Sequence, residues 1–131
     1  MTFEEELYSY LSANAGLVAL VGTRIYPNGE VPQDPTKPYC VHSRISSDRL
    51  YSHSGYSGIE DIGLQVNCYS DNKLQARQVA IKATTALEAW VAENSNVHKA
   101  LRGDSKDLYD GILDLHFYMV EFSISHSFEE G

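Results

Sequence analysis

Four side chains able to bind a metal, Cys40, His42, His53 and Cys68, lie on or beside two strand-like runs that a hairpin would bring together. Their spacing matches no familiar zinc pattern, so the simpler reading is two buried thiols and surface imidazoles. Ser54-Gly55-Tyr56-Ser57-Gly58 looks like a nucleophile elbow, but Ile59 occupies the last glycine position of G-x-S-x-G, and the strand-turn-helix context is missing too. Asp104, Asp107, Asp110 and Asp114 lack the close alternation of oxygens that wraps calcium and read as solvated turn residues. Of the histidines, His42 and His116 lie on strand faces opposite apolar residues, and His126 follows the last apolar pair. None has an acid or base partner at readable spacing. No phosphate-cradling glycine loop, dinucleotide fingerprint or aromatic-basic RNA motif occurs. These residues give catalysis no positive support, and neither a cofactor nor a metal is expected.

The elements that would have to position such residues fit into one domain. The chain has 131 residues, 43% hydrophobic and 21% charged, enough apolar material for a single core over residues 1–131. Ten basic against eighteen acidic residues give a formal charge of -8, a field that repels nucleic acid and anionic membrane surfaces. The acidic opening Met1-Thr2-Phe3-Glu4-Glu5-Glu6 lacks the basic and apolar regions of a secretory signal. The most apolar run, Gly16 to Gly22, is far shorter than the roughly 20 residues that span a bilayer. A soluble protein folded in the cytoplasm, with reduced cysteines and no membrane partner, is the expectation.

Thr2 and Glu5 form a capping-box pattern, and Phe3, Leu7, Tyr10 and Leu11 recur at helical spacing, so a helix is expected to end near Asn14-Ala15-Gly16. A short apolar turn, Leu17 to Val21, follows. The four prolines between Pro27 and Pro38 predict an irregular surface crossing. Two alternating runs, from Tyr39 to Ile45 and from Ile62 to Cys68, predict an antiparallel hairpin whose connection, 46–60, is a long flexible loop rich in Ser, Tyr, His and Gly. Asp71 is placed as the cap of a second helix with its apolar stripe at Leu74, Val79, Ala80, Ala83, Leu87 and Trp90. A polar bridge from Glu93 to Asp110 holds at most a short strand near Leu108 and Tyr109.

A last strand begins after Asp110-Gly111. Its apolar residues occupy odd positions through Met119 and even positions from Val120, so either a bulge reverses the faces or both faces are buried. The fold class predicted is α+β: an antiparallel sheet of three to five strands carrying two helices on one face. A doubly apolar strand in so small a domain suggests a partner subunit, with Val120, Phe122 and Phe128 as the candidate interface. Tyr51, His53 and Tyr56, in the long loop, are candidate partner-docking residues, because Tyr, Ser and Gly make adaptable contact surfaces.

Leu20-Val21-Gly22-Thr23-Arg24-Ile25-Tyr26-Pro27, Val31-Pro32-Gln33 and Lys37-Pro38-Tyr39-Cys40-Val41 resemble the opening of the small tail-completion proteins of long-tailed phages and prophages. The strand from Ile62 to Tyr69, the Ala-rich helix from Asn72 to Trp90, Leu108-Tyr109-Asp110 and Leu113-Asp114-Leu115-His116-Phe117 follow in that family's order. The stretch between Trp90 and Leu108 departs from the pattern, which has a clearer strand there. The resemblance implies a tail terminator, or tail-to-head joining protein: a ring-forming subunit, usually one of six, that caps the tail tube, stops its polymerisation and docks to the head. The partners it implies are further copies of the chain, the tail-tube protein and a neck or head-completion protein. The location it implies is the head-proximal end of the virion tail, reached by assembly in the bacterial host cytoplasm. DNA would pass through the ring without specific binding, helped by carboxylates facing the lumen. The alternative readings are a neck or head-completion protein on the portal side, a small metal-dependent enzyme in which Cys40, His42 and His116 converge, and a cellular ligand-binding module.

Overall fold

The computed structural model describes residues 3–52 and 55–127, with side chains described throughout except at 49–57. Eight elements follow in order: α1 (Phe3–Ser12), α2 (Ala15–Val21), β1 (Ile25–Pro27), β2 (Tyr39–Ser52), β3 (Gly55–Ser70), α3 (Lys73–Glu93), β4 (Val97–Asp110) and β5 (Leu115–Ser127). The strands form one sheet in the order β1-β2-β3-β5-β4. Every neighbouring pair is antiparallel except β1 with β2, which run parallel. The α+β class therefore holds, but the sheet is mixed, and it carries three helices where two were expected.

The third helix is the run that reads in sequence as an apolar turn. Asn14 caps it, its side chain accepting from Leu17 N at 3.0 Å, and Leu17 and Val21 turn inward. Seven residues are too few for a clear helical period, which is why the sequence hid it. In α3 the cap is Asn72 rather than Asp71: its side chain accepts from Leu74 N and Gln75 N. Ala76, Ala80, Ala83 and Ala86 bring α3 close to the sheet, with Val79, Leu87 and Trp90 filling the space between. Among the described residues no helix is long and apolar enough to cross a membrane.

The core lies between the helices and one face of the sheet. In β3 the even residues Ile62, Leu64, Val66 and Cys68 are buried, while Asp61, Gly63, Gln65 and Asn67 look the other way. Residues Ile59 to Ser70 pair with β5 in unbroken register, so no bulge reverses the faces of β5. Its even residues, Val120, Phe122 and Ile124, enter the core with those of β3, and Leu115, Phe117 and Met119 stand on the opposite face. Strand β4 replaces the expected polar bridge. Its only buried residues are Val97 and Ala100, and its Lys, Arg and Asp side chains suit an edge strand, where charge discourages pairing with stray chains.

Candidate functional site

The stretch 46–60, expected to be a flexible loop, is strand over its described residues, 46–52 and 55–60. Pairing of β2 with β3 continues through Asp48↔Asp61 and Arg49↔Glu60 to Tyr51↔Tyr56 and Ser52↔Gly55. Among the described residues β3 pairs with β5 from Ile59↔Ser127 onward, so the last β2–β3 pairs form a two-stranded arm beyond the described end of β5. The arm resembles a loop in sequence because beyond the core neither of its faces needs apolar residues, so the period-2 signal disappears. Tyr51 and Tyr56 oppose each other across it, while His53 lies outside the described residues.

The base of the arm is built closely. Register shifts at Arg44/Ser46 and Arg49/Tyr51 bend β2. At the first shift a Cβ on residue 63 would run into Ser46 Oγ and crowd Ile45, so the Ser46 hydroxyl must turn away before any side chain replaces Gly63. Arg44 ties this region to α1: its guanidinium reaches Glu4 Oε1 at 3.1 Å, lies 3.8 Å from Glu60 Oε2 and sits 5.4 Å from the centroid of the Phe3 ring.

The other end of the sheet is aromatic. On the face away from the helices Tyr26, Tyr39, Tyr69 and Phe117 form a row across four strands, with centroid separations of 6.1, 5.0 and 4.9 Å. Burial raises the phenol pKa of both Tyr39 and Tyr69. Val31, from the proline-rich crossing, covers part of this row together with Val41 and Leu115. Past it, β4 and β5 are joined by a turn over residues 111–114 whose Ile112 is 97% exposed and Leu113 52%. Asp110 shapes the turn by accepting from Ile112 N at 2.9 Å and Leu113 N at 3.0 Å, and Asp114 takes a positive φ of 55°. Ile112 and Leu113, which read in sequence as the start of the last strand, belong to this turn instead. The Asp110-Gly111 pair marks the turn, but not that its tip is apolar.

Val120 and Phe122, 2% and 3% exposed, are used within the subunit core, so they do not form a contact surface; Phe128 lies outside the described residues. On the face of β5 away from the helices stand Leu115, Phe117 and Met119, of which Leu115 and Met119 are themselves buried. Cys40 and Cys68 do meet, buried and directly opposed across β2 and β3 with their sulfurs 3.6 Å apart. The Cys68 thiol is held well above its ordinary pKa by its contact with Cys40 and by burial. Among the described residues no group of three or more His, Cys, Asp or Glu side chains is arranged to hold a metal ion. One histidine pairing escaped sequence reasoning: Nε2 of His126, on β5, touches the Glu6 carboxylate of α1 inside the core, although the approach is not aligned as a hydrogen bond.

Comparison with solved structures finds the same fold in a chain of the virion of a native gene transfer agent (GTA) particle. The match has 19% identity and a TM-score of 0.70, and it covers 93% of this chain and 92% of that one. Comparison with curated proteins returned no match. The model of the family described as tail completion protein gp17 matches residues 5–126, from the first turn of α1 to the end of β5. The chain thus belongs to the tail completion protein gp17 family, the structural proteins of phage tail completion and virion assembly.

Proposed function

We propose that the protein caps the head-proximal end of the finished tail tube as a ring of identical subunits, six in the tail terminators it resembles, stops tube growth and joins the tail to the head. The observation that carries this reading is that the two ends of the sheet are unlike. Among the described residues a hairpin arm extends past the end of β5 at one end, and the aromatic row with the exposed Ile112–Leu113 turn lies at the other. A joint between two layers needs two different docking surfaces on opposite ends of each subunit. The arm with Tyr51 and Tyr56, next to which His53 follows in sequence, and the apolar turn meet that need, one toward the tail-tube protein and the other toward a neck or head-completion protein. The net charge of -8 suits a ring through which DNA passes without being held.

The reading is tested by tube growth. Tail-tube protein polymerising in the presence of this chain gives tubes that stop lengthening, whereas tubes alone continue to grow. Equal length distributions with and without the chain overturn termination.

A further inference from the structure

Besides its two ends, the subunit has two lateral edges, one with a concavity whose charged lining is acidic and the other with a groove whose charged lining is basic. At the β1 edge, α1 and β1 enclose a cavity of about 450 Å³ lined by Glu4, Glu5, Glu30, His42, Ile25 and Pro27. His42 is 3% exposed, and among the described residues its ring makes no hydrogen bond. Burial lowers its pKa, an effect the nearby Glu4 and Glu30 carboxylates oppose, so at neutral pH one ring nitrogen is an acceptor. The charged lining of the cavity is thus acidic: Glu30, Glu5 and a Glu4 already held by Arg44, with a neutral imidazole and the hydroxyl-bearing Tyr8 and Ser9 over an apolar floor. The group this chemistry fits is a cation that only donates, with a flat apolar surface, which describes a guanidinium.

The β4 edge supplies such groups. A groove of about 180 Å³ between α3 and β4 is lined by Arg77, Ile81, Arg102 and Tyr118. Among the described residues neither arginine has a carboxylate partner; Arg102 Nη2 donates only to Ser105 of its own strand. Ile81 beside them is 54% exposed. Strands β1 and β4 are the two outer strands of the sheet, and both the cavity and the groove lie on its helix-bearing side.

We propose that a second copy of this chain docks its α3–β4 edge, through Arg77 and Arg102, onto the acidic His42 cavity at the α1–β1 edge of its neighbour. An acidic cavity repels its own kind, so copies meet head to tail and each keeps one free cavity and one free groove, which is how rings are built. This inference rests on the ring reading above and names the surfaces that would close it.

Chemical cross-linking tests it, with Asn28→Cys beside the cavity and Thr85→Cys beside the groove in the full chain, so that Glu30, Arg77 and Arg102 are kept; the native cysteines are buried and leave the new thiols as the reactive ones. The double variant, treated with a short bifunctional maleimide in solution and on isolated tails, is expected to give a ladder of dimers, trimers and larger multiples. Either single variant gives no more than a dimer, because one thiol per chain cannot extend a chain. Adding Arg77→Glu to the double variant removes most of the ladder, while circular dichroism reports that the fold is kept. No ladder in either setting, or one unchanged by Arg77→Glu, overturns this contact even if the protein sits at tube ends. A ladder in solution from a protein absent from tails keeps the contact and overturns the tail-end reading instead.

Discussion

Replacing Trp90 by alanine is expected to remove about 3–5 kcal/mol of folding stability, a large part of the roughly 5–15 kcal/mol that holds a domain of this kind together. Trp90 is 1% exposed and is the largest fully buried side chain of the core. Its ring stacks on Tyr10 at 5.2 Å with an interplanar angle of 13°, and meets Phe3 at 5.9 Å and His126 at 6.3 Å. It therefore joins α3, α1 and β5 at one point. Tyr10 adds a second tie, its hydroxyl donating to the Ala86 carbonyl of α3 at 2.5 Å, with burial pushing the phenol up to about 12. Urea unfolding checks the effect, with Val91→Ala as control on the exposed side of the same helix, expected to change stability by no more than about 0.5 kcal/mol. A loss at Trp90 below about 1 kcal/mol would mean that α1 does not pack on this ring.

The second large effect is expected at the Glu6–His126 pair. The His126 side chain is 2% exposed and that of Glu6 18%, so neither partner has ready access to water. Glu6→Ala leaves the imidazole in the core without the carboxylate that faces it, at a cost of about 1–3 kcal/mol. Replacing both together, as Glu6→Leu with His126→Phe, removes the demand along with its answer, and the phenyl ring would retain the edge contact that the imidazole of His126 makes with Phe3 at 5.5 Å. The double variant should recover most of the lost stability. A double-mutant cycle in which the two losses simply add would show that the groups are not coupled.

The elements legible in the sequence are those with one face in the core. Helices α1 and α3 and the inner halves of β2 and β3 carry apolar residues at the right period because half of each is buried. Strand β4 escapes sequence reading because Lys99, Arg102, Asp104 and Lys106 face solvent at an edge, and the arm because it stands outside the core. Strand β5 is apolar on both faces, as its sequence indicates, but Val120 and Phe122, expected at an interface, pair with Val66 and Leu64 on the face that the helices cover. The pairing of Glu6 with His126, and the cavity that His42 shares with α1, join residues far apart in the chain, and no local pattern could show them.

The most direct measurement of the central claim is electron microscopy of purified protein mixed with tail tubes, the protein carrying a label at its C-terminus. The account predicts a labelled ring at one end of each tube and none along its length. Label spread along the tubes, or protein that never associates with them, would contradict it.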